Sequence, residues 1–137
     1  MERKKRYEEK INFALHSLET FSKWIEQAES SELHLFASAK AFQECVEAIT
    51  DMVSMLCTDL FNNSKDDYSN IELLFAKGII SKEEASLLKE ANGLRNVVVH
   101  KYNSYDKERF IKSSEEMQTK LESFLEKLSQ IVKEKIK

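Results

Sequence analysis

No proline interrupts this chain, and its only two glycines stand at 78 and 93. Proline removes the amide that a helix interior needs, and glycine enters left-handed backbone at little cost. A polypeptide nearly free of both has few places to break, so its apolar residues decide what it becomes. They recur at helical spacing. Ile11, Ala14, Leu15, Leu18, Phe21, Ile25 and Ala28 step by threes and fours, which predicts one helix over residues 2–29. Phe36, Ala39, Phe42, Val46, Ile49, Val53, Leu56 and Leu60 predict a second over about 32–61, capped by Ser30 or Ser31. The heptad-like seam of this second stripe suits bundle packing.

The all-polar stretch Asn62 to Asp67 is the clearest loop. A short helix is expected from about Tyr68 to Lys77, carrying Ile71, Leu74 and Phe75, with Gly78 as its stop. Ser81 and Glu84 form a capping box that opens a fourth helix through Ala85, Leu88, Ala91 and Leu94. After a turn at Asn103 to Asp106, capped by Ser104 or Asp106, a last helix places Phe110, Met117, Leu121, Phe124, Leu128 and Ile131 on one stripe. The expected architecture is all-α. It is an up-and-down bundle of about five helices, four long and one short, in a single domain over 1–137.

Composition narrows the function classes. A net charge of -3 argues against a generic polyanion binder, although a local basic patch is compatible with it. The opening E-R-K-K-R, Glu2 to Arg6, is such a basic cluster; as a terminus it reads first as frayed and solvated. No apolar run has the length of a membrane span or a secretion signal, which leads us to expect a cytoplasmic protein. Cys45 and Cys57 would lie ~18 Å apart along one helix, too far for a disulfide. They lack zinc-ligand spacing, and His16 has no carboxylate or cysteine placed to share a metal, so neither metal nor cofactor is expected. The cysteines read as small, half-buried residues, and His16 as a surface or core-edge histidine.

Chemistry concentrates in Leu94 to Tyr102, L-R-N-V-V-V-H-K-Y. Arg95 is a permanently charged fork suited to phosphate oxygens. His100, with an ordinary pKa of ~6.5, exchanges a proton near neutrality. On a regular helix, at ~100° per residue, Arg95 and His100 would point ~140° apart, whereas Asn96 and His100 would share a face. Three successive valines after Gly93 also make a poor helix interior. Either the helix loosens here, or a second copy of the segment completes the site, and the second alternative is favoured. On the second helix a polar line, Gln43, Glu47, Asp51 and Ser54, reads first as a solvated face. Its sharper reading puts Glu47 or Asp51 at a dimer cleft near the Arg95–His100 segment.

The octapeptide R-N-V-V-V-H-K-Y, Arg95 to Tyr102, resembles the R-x4-H-x-Y signature of the HEPN superfamily, specifically the HepT-like toxins. The family's arginine falls on Arg95, its histidine on His100 and its tyrosine on Tyr102, with Asn96 matching the polar residue that usually follows the arginine. Upstream, Phe42 to Asp51 resembles the family's second helix and Tyr68 to Ile80 its third. Tyr105 and Asp106 open a last helix as the family does. Asn62 to Asp67 departs from the pattern by lacking a proline common there.

The resemblance implies a metal-independent RNA endonuclease, the toxin of a type II-like toxin–antitoxin pair, working in a cleft between two protomers. By the same resemblance, Arg95 would stabilise the charged phosphorane, His100 would move a proton at the 2′-hydroxyl or the leaving oxygen, and Asn96 would support them. A cognate nucleotidyltransferase antitoxin would silence the cleft by attaching AMP to Tyr102. The rival reading is a non-catalytic helical dimer that docks a nucleotidyltransferase or binds a nucleotide.

Overall fold

Five helices run between the few stop signals that the sequence carries. The computed structural model describes residues 2–99 and 104–137, with the backbone path alone at 97–99 and 104–106. The helices are α1 (Glu2–Ile25), α2 (Glu32–Phe61), α3 (Asp67–Ala76), α4 (Lys82–Val99) and α5 (Ser104–Lys135). No strand occurs among the described residues, and none of the described helices is long and apolar enough to cross a membrane. Four long helices and one short one form the expected up-and-down bundle.

The caps explain the boundaries. Ser31, in extended conformation, accepts a hydrogen bond from the His34 amide and starts α2. Asn62 enters left-handed backbone at φ 50, and its amide returns to Thr58 O at 3.0 Å, which ends α2. Gly78 does the same for α3 at φ 73, as its position in the sequence required. Ser81 and Glu84 cap α4 reciprocally. The Ser81 amide donates to Glu84 Oε1 at 2.7 Å, and the Glu84 amide to Ser81 Oγ at 3.1 Å.

The second helix organises the core. It touches all four others, and buried side chains leave it on several sides, among them Phe42, Cys45, Ile49, Met52, Leu56 and Cys57. The Phe42 ring lies between Phe21 of α1, at 5.8 Å, and Phe110 of α5, at 5.6 Å. Helices α1 and α2 are antiparallel. Arg3 Nε and the Tyr7 hydroxyl both donate to Asp59 Oδ2 at 2.7 Å, and a turn further on Lys10 Nζ meets Asp51 Oδ2 at 3.3 Å.

Several expectations are corrected. The first helix stops at Ile25, short of residue 29, and a turn through residue 30 follows, although Ala28 remains buried. The basic cluster is helical rather than frayed, because Asp59 holds Arg3. Leu15, Phe36 and Phe75 face solvent. A three-and-four repeat marks a stripe without saying how wide the covered part is, and Phe36 shares its face with exposed Lys40. The cysteines are fully buried rather than half-buried, and burial pushes the Cys45 thiol up to about 12 and Cys57 to about 11. Neither is a thiolate at neutral pH. Ser104 and Asp106 both lie inside α5, so neither precedes it as a cap. His16 is exposed, as read.

The Asp59 cluster gives the fold a predictable acid response. Partial burial works against ionisation of Asp59, but hydrogen bonds from Arg3 and Tyr7 outweigh it and hold the carboxyl below its ordinary 3.8. A carboxylate with a lowered folded pKa stabilises the protein above the unfolded value, and that contribution disappears as pH falls through the folded value. Thermal melts between pH 2 and pH 7 should therefore show the wild type losing stability below about pH 4 more steeply than Asp59→Asn. Parallel curves would remove Asp59 as the acid-sensitive link.

Candidate functional site

The site is built where the last turns of α4 pass the first turn of α3. Leu88, Ala91 and Leu94 face the core and set the rotation of α4. The capping box fixes its start, and Lys127 Nζ of α5 reinforces it by donating to Glu84 Oε1 at 2.9 Å. Partial burial opposes ionisation of Glu84, but the Ser81 amide and Lys127 prevail, and its carboxyl lies below the usual range. With α4 anchored, Arg95 and Asn96 emerge in its last turns. The backbone stays helical through the three valines to Val99, so α4 has not loosened over that span. His100 and Tyr102 lie outside the described residues.

Arg95 is largely enclosed, its side chain 17% exposed, and its Nη2 stands 3.6 Å from Asp67 Oδ2 at the start of α3. A guanidinium carries five N–H donors in a fixed fork, so this one carboxylate oxygen does not exhaust it. Asn96 is exposed. One turn earlier, Asn92 Oδ1 is buried with no hydrogen-bond partner among the described residues. Leaving such an oxygen unsatisfied costs free energy. Sequence reading gave Asn92 no role, and its position one turn before Asn96 was the available signal.

The start of α3, where Asp67 stands, is held by a polar frame. Asp66 caps α3 by accepting from the Ser69 amide at 2.7 Å. The side chain of Asn70, only 2% exposed, accepts from the Lys65 amide at 2.7 Å and donates to Lys65 O at 3.1 Å and Ser64 Oγ at 3.3 Å. Ser64 Oγ in turn meets Ser54 Oγ of α2 at 2.7 Å, and the Cys57 thiol donates to Asn70 O at 3.4 Å. The all-polar loop is thus tied to both flanking helices, without the proline.

The polar line on α2 divides. Ser54 reaches this loop, whereas Glu47 and Asp51 are exposed toward α1. Gln43 Nε2 donates to Glu47 Oε2 at 3.3 Å, and Asp51 pairs with Lys10. Both carboxylates line a groove of about 390 Å³ with Arg6, Lys10, Phe13 and Lys40. No hydrogen bond or ion pair among the described residues joins Glu47 or Asp51 to Arg95. Earlier on α4, Lys89 pairs with Glu72 and lies 4.5 Å from the centroid of the Tyr68 ring. The described residues contain no group of three His, Cys, Asp or Glu suited to a metal ion.

Comparisons with known proteins agree on where this arrangement belongs. A family model described as "Ribonuclease HepT-like" matches residues 11–128. Two proteins of Archaeoglobus fulgidus, each carrying the name "Putative RNase", are 36% identical to this chain. One aligns over 130 residues, covering 95% of this chain and 96% of its own length; the other aligns over 104, covering 76% of each. Among solved structures, the fold is similar to a tri-AMPylated Shewanella oneidensis HEPN toxin in complex with an MNT antitoxin. The TM-score is 0.82 at 17% identity, over 90% of this chain and 96% of that one. It is also similar to a toxin–antitoxin structure named MntA-HpeT, with TM-score 0.67 at 17% identity, over 93% and 94%. At that identity the two structures establish a shared fold.

Two substitutions separate the frame from the ion pair it supports. Asn70→Ala strips buried partners from the loop and should lower unfolding free energy by about 1–3 kcal/mol. Asp67→Ala removes one half-exposed pair and should cost less than about 1 kcal/mol. Denaturant unfolding of both variants checks the order. The reverse order would mean that Arg95, rather than Asn70, secures the start of α3.

Proposed function

This chain belongs to the HepT-like ribonuclease family, and from that premise we propose that it is the toxin of a toxin–antitoxin pair and cleaves RNA at the Arg95–His100 segment. The observation that carries the reading is the placement of Arg95. It projects from the last turns of a doubly anchored helix, its guanidinium paired with Asp67, five residues before the histidine of the family motif. A fixed guanidinium can meet charge developing on phosphorus without reorganising as the reaction proceeds. His100 exchanges the proton of the 2′-hydroxyl or of the leaving oxygen. Asn96 supports one of these groups. None of these steps calls for a metal ion, and cleavage proceeds in the cytoplasm.

Two copies form the site. Arg95 and His100 would diverge by ~140° on a regular helix, so opposed segments from two protomers gather the groups around one phosphate. Glu47 and Asp51, exposed on α2, border that cleft. A nucleotidyltransferase antitoxin regulates it by attaching AMP to Tyr102. The modification adds negative charge and bulk, and it gives Arg95 a phosphate to bind in place of substrate. The two structures of similar fold, which contain such a toxin with its antitoxin, support the partner assignment.

A second reading draws on the Asp67–Arg95 pair itself. If that pair only braces α3 against α4, the protein is a non-catalytic dimer that docks a nucleotidyltransferase or binds a nucleotide. Cleavage assays with purified protein and total RNA separate the two. Arg95→Ala and His100→Ala should each lower the rate by about a hundredfold or more, with unchanged helix content and with wild-type cleavage persisting in chelator. Full activity in His100→Ala would leave the docking module. After incubation with the partner and ATP, intact mass should rise by AMP in the wild type and not in Tyr102→Phe, which should stay active. Light scattering should give a dimer mass, and a monomer at micromolar concentration would overturn the shared cleft.

A further inference from the structure

Tyr68 stands in the first turn of α3, next in the chain to the carboxylate that holds Arg95. It is an aromatic residue with 61% of its surface exposed. Exposure alone would be unremarked, but this ring is also fixed in place. Lys89 Nζ of α4 lies 4.5 Å from the ring centroid, and the same ammonium is anchored by Glu72, one turn further along α3. The hydrogen bond to Glu72 is the chief cause that raises the Lys89 pKa, so the cation over the ring is permanent near neutrality. Lys89 precedes Arg95 by six residues, a rise of ~9 Å on α4. A positioned, solvent-facing aromatic ring thus borders the proposed cleavage site.

The charges around it indicate what such a ring is for. Arg95 is matched by Asp67 and Lys89 by Glu72, and the whole chain carries a net charge of -3. Generic attraction for a polyanion is therefore weak here, and affinity for RNA has to come from contacts that do not depend on net charge. Stacking of an unpaired base on an aromatic face is such a contact, and it tolerates any sequence.

We propose that Tyr68, steadied by Lys89 and Glu72, is the platform on which an unpaired RNA base stacks beside the phosphate held by Arg95. The proposal rests on the ribonuclease reading for its substrate, and it makes unpaired rather than duplex RNA the preferred partner. Bases within a duplex already stack on one another and have no face to offer.

Binding of a fluorescent 2′-O-methyl oligoadenylate tests it in the wild type, because the blocked 2′-hydroxyl prevents cleavage. An abasic backbone of equal length and charge serves as the reference. Tyr68→Ala should weaken binding of the oligoadenylate by about tenfold or more and leave the abasic backbone unaffected. Tyr68→Phe, which keeps the ring, should retain the affinity. Circular dichroism should register no loss of helix, since the substituted side chain is exposed. Equal affinity for both ligands in the wild type, no loss in Tyr68→Ala, or the same loss on both ligands would each overturn the platform. Cleavage of unmodified RNA alongside any of those results would leave the ribonuclease reading standing. Base-dependent binding through Tyr68 without any cleavage would overturn the ribonuclease reading and keep the platform.

Discussion

Everything in this bundle depends on burying one helix from almost all sides. A surface helix needs an apolar stripe, and its remaining positions can be polar. α2 exceeds that requirement, with Ala41, Cys45, Ala48, Met52 and Met55 buried beside the seam of Phe42, Val46, Ile49, Val53 and Leu56. Small residues at 41, 45 and 48 let neighbouring helices approach closely, and the large ring of Phe42 fills the space toward α1 and α5. One consequence is that α3 and α4 have a fixed wall to pack against. The site at their junction inherits its geometry from that wall.

A chain of polar contacts carries this rigidity to Arg95. Ser54 on α2 meets Ser64 in the loop, Asn70 locks Ser64 and Lys65, and α3 then begins with Asp67 facing Arg95. The Ser54–Ser64 contact is exposed, but the half-buried hydrogen bonds of Asn70 are expensive to leave unmade even though each contributes little net stability, so the loop has one preferred shape. Proline would have narrowed the loop's backbone choices through φ. Here an asparagine side chain does the equivalent by satisfying the backbone groups of Lys65 directly.

The helices were legible because helix formation leaves local marks. Ser31, Ser81 with Glu84, and Gly78 each act within a few residues of where they stand, and each worked as its chemistry required. What stayed illegible depends on residues far apart in sequence. Nothing near Arg3 announces that Asp59 will hold it, and nothing near Asn70 shows that it will face a loop rather than solvent. Phe36 and Phe75 follow the apolar rhythm and still face water, because the width of a buried face is set by the neighbouring helix. At the candidate site, the motif drew attention to Arg95, whereas Asp67, which pairs with it, was read only as loop. His100 and Tyr102 lie outside the described residues, and their roles rest on the motif.

Whether Asp67 helps or hinders Arg95 is a matter of magnitude. A bidentate, fully buried arginine–carboxylate pair would cost roughly 3–5 kcal/mol to break, and an arginine locked in that way would be structural. The observed pair is different: it is a single approach of 3.6 Å, with the Asp67 side chain 44% exposed. Pairs of that kind are worth about 0–1 kcal/mol. A phosphate that engages the guanidinium through two charge-assisted hydrogen bonds offers more than the carboxylate does. Asp67 therefore restricts the rotamers of Arg95 at little cost to its availability. Lysine at this position could pair with Asp67 equally well, but as a compact ammonium it would lack the rigid fork that holds a carboxylate at one edge and presents further donors at another.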